Sequence, residues 1–188
     1  MKKIASLLLI AAASFYLPAS AQTEAETKAW TNYMTPGPVH DMMAKSAGAW
    51  SGKCTFWMKP GAPPTTAMVD AKNEMILGGR YLQSKNTGEM MGMPFEGIGV
   101  TAYDNATKKF INTWMDNMGT GIMTLEGTWD DNTKSITFKG KAVDPMTGKE
   151  APVRQILKFV DDNTQSLEMY QDSNGKEFKS MEILFTRK

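Results

Sequence analysis

Ten short strand-like segments follow one another after Gly48 with no helix between them, and this pattern limits the possible folds more than any other feature. Short strands joined by tight turns favour an antiparallel barrel or sandwich. An open sheet of this size would leave two unpaired edges, whereas closure into a barrel removes both. The pattern therefore predicts an all-β fold, an antiparallel up-and-down β-barrel of about ten strands over residues 48–188. The predicted strands are residues 50–59, 65–77, 80–86, 95–103, 109–116, 120–129, 135–143, 153–160, 165–171 and 177–187.

The turns between several of these strands share one chemistry. Asp104-Asn105, Asp130-Asp131-Asn132 and Asp161-Asp162-Asn163 each follow an aromatic or branched residue that ends a strand, and Asn174-Gly175 closes the series. Asp and Asn bond to the neighbouring backbone and tolerate left-handed backbone angles. These clusters therefore predict tight hairpin turns.

Residues 1–21 have the pattern of a signal peptide. Lys2 and Lys3 precede an apolar run over residues 4–17, and Ala19-Ser20-Ala21 provides a small-x-small cleavage site. The run is shorter than the about 20 apolar residues of a membrane span. We expect cleavage after Ala21, no stable membrane anchor afterwards, and an exported protein that is periplasmic or secreted.

Residues 22–47 are predicted to form an N-terminal helical segment ahead of the barrel domain of residues 48–188. The first part is polar with helical composition and predicts a loose helix or a tail. Pro38 suits the first position of a second short helix. Val39, Met42, Met43 and Ser46 recur at helical spacing after it, and Gly48 is expected to end it.

Charge and cysteine content exclude some classes of function. Lys and Arg total 21 against 20 Asp and Glu. Because phosphate binding needs a dense basic face, this balance argues against nucleic acid as the main partner. Cys54 is the single cysteine, so no intramolecular disulfide can form. Its apolar surroundings in the first strand predict a small buried core thiol.

Two positions at opposite ends of the barrel sequence predict how one end closes. Gly48-Ala49-Trp50 opens the first strand, and Arg187 lies near the end of the last. This arrangement resembles that of lipocalins and calycins. The resemblance implies that Trp50 plugs one barrel end and that Arg187 packs across its indole, a cation over a desolvated aromatic face. The implied role is structural.

A wider resemblance covers nearly the whole chain after the predicted signal peptide. Its blocks include Gly-Gly-Arg-Tyr-Leu at residues 78–82 and Phe-Glu-Gly-Ile-Gly at residues 95–99. The remaining blocks are residues 40–50, 103–104, 109–116 and 175–183. Together they resemble a bacterial family filed as domain of unknown function 1579. The resemblance implies a lipocalin-like barrel with no established activity, and it supplies no catalytic residues.

Familiar enzyme motifs are missing from the sequence. It has no Gly-x-Ser-x-Gly elbow, no phosphate-binding glycine loop, no His-Glu-x-x-His and no Cys-x-x-Cys. No catalytic residue is assigned. One hypothesis nevertheless remains an enzyme, in which carboxylates inside the barrel, such as Glu96 and Asp116, perform acid–base catalysis.

Mixed strand faces favour a barrel that binds a small molecule. On residues 109–116, for example, Phe110, Asn112, Trp114 and Asp116 share one face. A few polar groups among apolar ones are typical of a ligand pocket. The leading hypothesis is a non-enzymatic barrel for a small apolar or amphipathic ligand, and the alternative is an interaction module with a solidly packed lumen. The candidate ligand-binding residues are Arg80, Phe95, Glu96, Trp114, Asp116 and Arg154.

The two arginines in this set have two readings. If they face inward, each can hold a ligand carboxylate bidentately. If they face outward, they are solvated surface residues. Strand alternation defines two faces without saying which one is inside, so both readings stand at this point.

Methionine is unusually frequent, with 16 in the chain. Met90, Met91 and Met93 cluster in a predicted loop, and thioethers are soft ligands suited to Cu(I). With His40, the single histidine, they form an alternative copper or haem site. Methionine also fills irregular cores and adaptable pockets, which is the competing interpretation. The sequence identifies no cofactor and no oligomeric state.

Overall fold

The computed structural model describes residues 23–173 and 175–188, so the predicted signal peptide lies outside the described residues. In the described part, α1 (Glu24–Met34) and α2 (Pro38–Ala44) precede ten strands. The strands are β1 (Gly48–Phe56), β2 (Thr65–Ile76), β3 (Tyr81–Met90), β4 (Met93–Asp104), β5 (Lys109–Asp116), β6 (Met123–Asp130), β7 (Ser135–Val143), β8 (Glu150–Asp161), β9 (Thr164–Ser173) and β10 (Lys176–Arg187). Neither helix is long and apolar enough to cross a membrane.

The strands form a closed barrel in which each one pairs antiparallel with its neighbour in the sequence. Pairing of β1 with β10 closes the ring, from Trp50 opposite Arg187 to Phe56 opposite Met181. The prediction of an antiparallel up-and-down barrel of ten strands is therefore confirmed. Strand ends differ from the predicted ones by a few residues. The clearest case is β3, which runs on to Met90 and pairs it with Met93.

The Asp and Asn turns act through side-chain hydrogen bonds. The Asp104 carboxylate accepts from the backbone N–H of Ala106 at 2.7 Å, and Asp130 accepts in the same way from Asn132 at 2.8 Å. The left-handed backbone angle, however, falls on Lys108 (φ 58°) and Lys134 (φ 50°) and not on the Asp or Asn residues. The turns were thus predicted correctly, but the residue that adopts the left-handed conformation was not.

One end of the barrel is closed by Trp50 and Arg187. The Trp50 side chain is 1% exposed, and its indole N–H donates to the Ser46 carbonyl at 2.9 Å. The Arg187 guanidinium lies 4.3 Å from the centre of the Trp50 ring. Gly48 has φ of 121°, and a Cβ there would lie 2.8 Å from Arg187 Nη1. The Gly-x-Trp spacing therefore provides both the backbone angle and the space for the arginine.

Arg187 also ties three segments of chain together. Its guanidinium donates to the carbonyls of Ala47 at 2.7 Å, Lys45 at 2.6 Å and Asp162 at 3.1 Å. Lys45 and Ala47 follow α2, and Asp162 lies in the turn between β8 and β9. One side chain thus fixes the helix, the start of β1 and a distant hairpin to the same end of the barrel.

Helix α2 covers this end with the face that carries His40 and Met43. The helix ends at Ala44, earlier than Gly48, which instead begins β1. His40 is 5% exposed, its Nδ1 accepts from the Gly37 N–H at 3.1 Å, and its ring lies edge-on to Tyr103. The histidine is therefore part of the plug.

The core lies between α2, strand β3 and strands β5 to β8. Its buried members are Met43, Leu82, Phe110, Leu125, Ile136, Phe138 and Val153. Gly127 allows this packing, because a Cβ there would lie 2.6 Å from the Phe138 ring. This part of the interior is solid, and the cavity described below lies beside it.

Replacing Arg187 by Met should lower the free energy of unfolding by about 2–3 kcal/mol, because the cation–π contact is lost and three carbonyls lose a charged donor. The matched control is Arg154→Met, which removes an arginine that stacks on Tyr170 outside the barrel. Loss of its partly exposed ion pair should cost less than about 1 kcal/mol. Urea unfolding of both variants provides the measurement. Equal losses would contradict the proposed role of Arg187 in closing the barrel.

Candidate functional site

The barrel contains a cavity of about 380 Å³ that is partly open to solvent. All ten strands contribute side chains to its wall, and Ser46 contributes from the segment after α2. The volume falls within the about 300–1,000 Å³ typical of small-molecule sites. The interior therefore contains space for a ligand in addition to a packed core.

Strand alternation places the cavity-lining residues. On β5, Asn112, Trp114 and Asp116 line the cavity, while Ile111 and Thr113 occupy the alternate positions. Successive side chains of a strand point to opposite faces, so every second residue enters the lumen. The face that mixes polar and apolar residues is thus the inner one.

Trp114 and Phe95 form an aromatic wall at the end of the cavity away from α2. Their rings are stacked, with centroids 6.4 Å apart and planes 21° apart. The Trp114 indole lies against Gly97 and Gly99 of β4, and a Cβ at residue 97 would meet its Cη2 atom at 2.6 Å. Two glycines on the neighbouring strand therefore leave the space in which this side chain packs.

Asp116 is held beside this wall by two neutral donors. The Trp114 indole N–H donates to Asp116 Oδ2 at 2.7 Å, and the Met118 backbone N–H donates to Oδ1 at 3.0 Å. Within residues 23–173 and 175–188, no lysine, arginine or histidine forms an ion pair with this carboxylate. Its negative charge is therefore not balanced by a basic side chain of the barrel.

Several polar side chains inside the barrel satisfy one another. Asn86 donates to Ser84 Oγ at 2.9 Å, and Asn112 donates to Thr101 Oγ1 at 3.0 Å. Closer to the plug, Gln165 donates to Ser46 Oγ at 2.8 Å. The first pair lies within β3, and the other two join neighbouring elements.

Two amide oxygens on the cavity wall are buried without a partner among the described residues. Asn73 donates its Nδ2 to the Ser46 carbonyl at 3.1 Å, which orients its Oδ1 as the unpaired atom. Gln155 is 6% exposed, and its Oε1 also lacks a partner. An unsatisfied buried acceptor costs about 1–3 kcal/mol. Although both residues line the cavity, the two oxygens themselves are covered by neighbouring protein atoms.

The cavity wall carries very little charge. Of its described residues, Asp116 and Cys54 are the ionisable ones, and none is Lys, Arg or His. Burial raises the pKa of the Cys54 thiol to about 12, so the thiol stays neutral. Asp116 is left as the one formal charge on the described wall.

The structure brings together three of the six predicted ligand-binding residues. Phe95, Trp114 and Asp116 line the cavity side by side. Glu96 lies outside, exposed between buried Phe95 and Gly97, so the expectation of a lumenal carboxylate at this position is corrected by the register of β4. Glu96 and Asp116 therefore do not share the cavity.

Both arginines of the predicted set also lie outside the cavity. Arg80 precedes β3 and donates to the carbonyls of Met34 at 2.7 Å and Leu77 at 3.1 Å, so it anchors the end of α1. Arg154 points outward from β8, pairs with Glu177 at 2.8 Å and stacks on Tyr170 at 3.9 Å. The inward reading of these two arginines is therefore wrong.

The four residues of the predicted metal site are spread over the barrel. Met90 lines the cavity, whereas Met91 and Met93 are exposed at the β3–β4 turn. His40 lies in the plug, against Tyr103 at the far end of β4. The described residues contain no group of three or more His, Cys, Asp or Glu side chains placed to hold a metal ion.

Some cavity residues were missed by the sequence analysis. Gln155 shares its face of β8 with Val153 and Leu157, and both alternate neighbours are apolar. Apolar residues two positions before and after Gln155 indicate that it faces inward, whereas the sequence analysis selected Arg154, which lies on the opposite face. Other cavity residues outside the predicted set include Asn73, Ile183 and Phe185, together with the methionines Met118, Met123, Met169 and Met181.

The buried thiol yields a prediction about reactivity. Because the thiolate is the reactive form, Cys54 in the folded protein should react with iodoacetamide at least about a hundredfold more slowly near pH 8 than in urea. Mass spectrometry of samples taken over time measures both rates, and Cys54→Ala serves as the blank. Similar rates in the two states would contradict a buried neutral thiol.

A solved structure of low sequence similarity shares the barrel fold. The crystal structure of Rv2717c from M. tuberculosis superposes with a TM-score of 0.61 at 14% sequence identity, covering 82% of this chain and 99% of that chain. At this identity the likeness supports the fold alone. Among curated proteins, no significant match to the chain was found.

A family described as protein of unknown function, DUF1579, matches residues 35–187. The matched range includes α2, all of β1 to β9 and β10 up to Arg187. It therefore contains the plug, the aromatic wall and both unpaired amides. Because the match extends over most of the sequence, the chain belongs to the DUF1579 family.

Proposed function

We propose that this protein binds a small apolar or amphipathic molecule inside its barrel and does not catalyse a reaction on it. The observation that carries the proposal is the cavity of about 380 Å³ with a largely apolar wall. A barrel that serves only as a structural module can fill its lumen completely. Space of this size is instead typical of a small-molecule site.

The wall suits a molecule with a hydrocarbon part. Phe56, Leu167, Ile183 and Phe185 line the cavity on β1, β9 and β10. Burial of apolar surface contributes about 25 cal/mol per Å² and does not depend on direction. These side chains would therefore stabilise many ligands of similar size and favour no particular one.

Five methionines give the wall a further property. Met90, Met118, Met123, Met169 and Met181 line the cavity. Unbranched thioether side chains adapt to irregular shapes and are common at surfaces that accept several partners. This composition supports a pocket that tolerates variation in ligand shape.

The other hypotheses have less support. A lumenal pair of carboxylates for acid–base catalysis is not formed, because Glu96 lies outside the barrel. The residues of the predicted copper or haem site do not lie together, because His40 is in the plug and Met90 is at the opposite end of the barrel. The predicted signal peptide adds the proposal that binding occurs after export, in the periplasm or outside the cell.

Ile183 and Leu184 offer a matched test, because they are neighbours on β10 with opposite orientations. Ile183 lines the cavity, and Leu184 is 47% exposed outside. Ile183→Trp should fill the cavity and weaken binding of the neutral fluorophore N-phenyl-naphthylamine by at least about tenfold. Leu184→Trp should leave its Kd within about twofold, since it adds the same ring outside the barrel.

The measurement is a fluorescence titration of each protein with the probe. Overpacking at residue 183 should cost about 1–3 kcal/mol of stability, so unfolding curves confirm that both variants are folded. Saturable binding that is lost only in Ile183→Trp is the expected result. Absence of saturable binding to the unaltered protein, or equal affinity in both variants, would overturn the proposal.

A further inference from the structure

Building on the proposed function, we infer that the cavity selects neutral and cationic amphiphiles that donate hydrogen bonds and that it disfavours carboxylates. Three features of the described wall point to this class of ligand, namely the single negative charge of Asp116, the aromatic pair beside it and the acceptor-only character of the carboxylate.

The first feature is the uncompensated charge of Asp116. Both of its hydrogen-bond partners, the Trp114 indole and the Met118 backbone N–H, are neutral. Each carboxylate oxygen can accept more than one hydrogen bond. Asp116 therefore retains acceptor capacity for an ammonium or hydroxyl group that enters the cavity beside it.

The second feature is the aromatic wall next to that carboxylate. Trp114 hydrogen-bonds to Asp116 and stacks with Phe95. Aromatic faces attract cations electrostatically, and Trp does so most strongly. A carboxylate beside an indole is thus suited to a ligand ammonium group.

The third feature is the hydrogen-bonding character of the charged group. The Asp116 carboxylate only accepts hydrogen bonds, here from the Trp114 indole and the Met118 N–H. Amines, alcohols and amides carry N–H or O–H donors for its oxygens, whereas an ionised carboxylate carries none. The hydrogen-bonding character of the wall therefore agrees with its charge.

A carboxylate ligand would meet unfavourable conditions in this cavity. No Lys, Arg or His of the described residues lines it, and both candidate anchors, Arg80 and Arg154, are engaged outside. Burying an anion without a cationic partner is costly, and a like charge nearby raises that cost. A fatty-acid type of ligand is therefore disfavoured.

The test compares three compounds with the same hydrocarbon chain, namely decylamine, decanol and decanoate. Each displaces N-phenyl-naphthylamine from the full-length protein, and its inhibition constant is measured near neutral pH. Decylamine and decanol should each bind at least about tenfold more tightly than decanoate, as expected for a buried anion without a partner. Ile183→Trp, in which the cavity is filled, separates displacement in the cavity from adsorption elsewhere.

The variant Asp116→Asn tests whether the charge of Asp116 causes the preference for decylamine. The side-chain oxygen of Asn can still accept from the Trp114 indole, but its NH2 group replaces the oxygen that accepts from the Met118 N–H, so the variant loses the charge and this one backbone hydrogen bond. Retained binding of decanol therefore shows that the cavity keeps its shape. Decylamine should lose about tenfold in affinity, and decanol should stay within about twofold, because it carries no charge. Glu96→Gln removes a neighbouring carboxylate outside the barrel and should change neither value.

The outcomes distinguish this inference from the proposed function. Failure of the unaltered protein to bind the probe would overturn the proposed function and the selectivity with it. Binding of the probe and decanol, with decanoate as tight as decylamine or tighter, would overturn the selectivity alone. A preference for decylamine that persists in Asp116→Asn would also overturn it, because the charge would then not be the cause.

Discussion

The contact between the Arg187 guanidinium and the Trp50 indole joins the first and last strands of the barrel and makes the rest of the structure possible. An up-and-down sheet has two free edges until its ends meet, and here they meet where seven residues of β1, from Trp50 to Phe56, pair with β10. Backbone pairing alone does not decide where the ring closes. The arginine adds a specific register, because it fits over one indole and reaches the carbonyls of Lys45 and Ala47 beyond α2.

Because the plug fills only one end of the barrel, a cavity remains towards the other end. Trp50, α2 and the core around Phe110 and Phe138 fill the interior near the plug. The remaining wall is lined by residues of all ten strands, and no second helix of the described chain covers it. Helix α1 has no buried residue and is held by its C-terminal carbonyls, through Arg80 and Asn105. The packing energy is thus concentrated at the plug, and the opposite end retains space for a ligand.

The ten strands could be predicted because turn chemistry is local. Asp104 and Asp130 form their turns with residues two positions away, so a short stretch of sequence contains the whole interaction. The barrel plug could be predicted because Gly48, Trp50 and Arg187 resemble the arrangement in lipocalins. Its physical basis is one contact, between the Trp50 indole and the Arg187 guanidinium. The inner face of each strand could not be predicted from the sequence. Alternation divides the residues of a strand into two faces, and which face lies inside depends on the pairing of strands around the whole barrel. Arg154 and Gln155 illustrate the difference, since one position in register decides which of them faces the cavity.

The same one-residue distinction determines the charge of the cavity. Glu96 and Asp116 lie on neighbouring strands β4 and β5, where Gly97 is the pairing partner of Asp116. Side chains of paired residues share a face, so Asp116 enters the lumen together with Gly97, and Glu96 must point outward. Gly97 has no side chain, and the Trp114 indole occupies that space and reaches the Asp116 carboxylate. A larger residue at position 97 would displace the indole and with it the donor that orients the carboxylate. The absence of a side chain on β4 therefore positions the single charge on β5, and the selectivity inferred for the cavity depends on that glycine as much as on the aspartate.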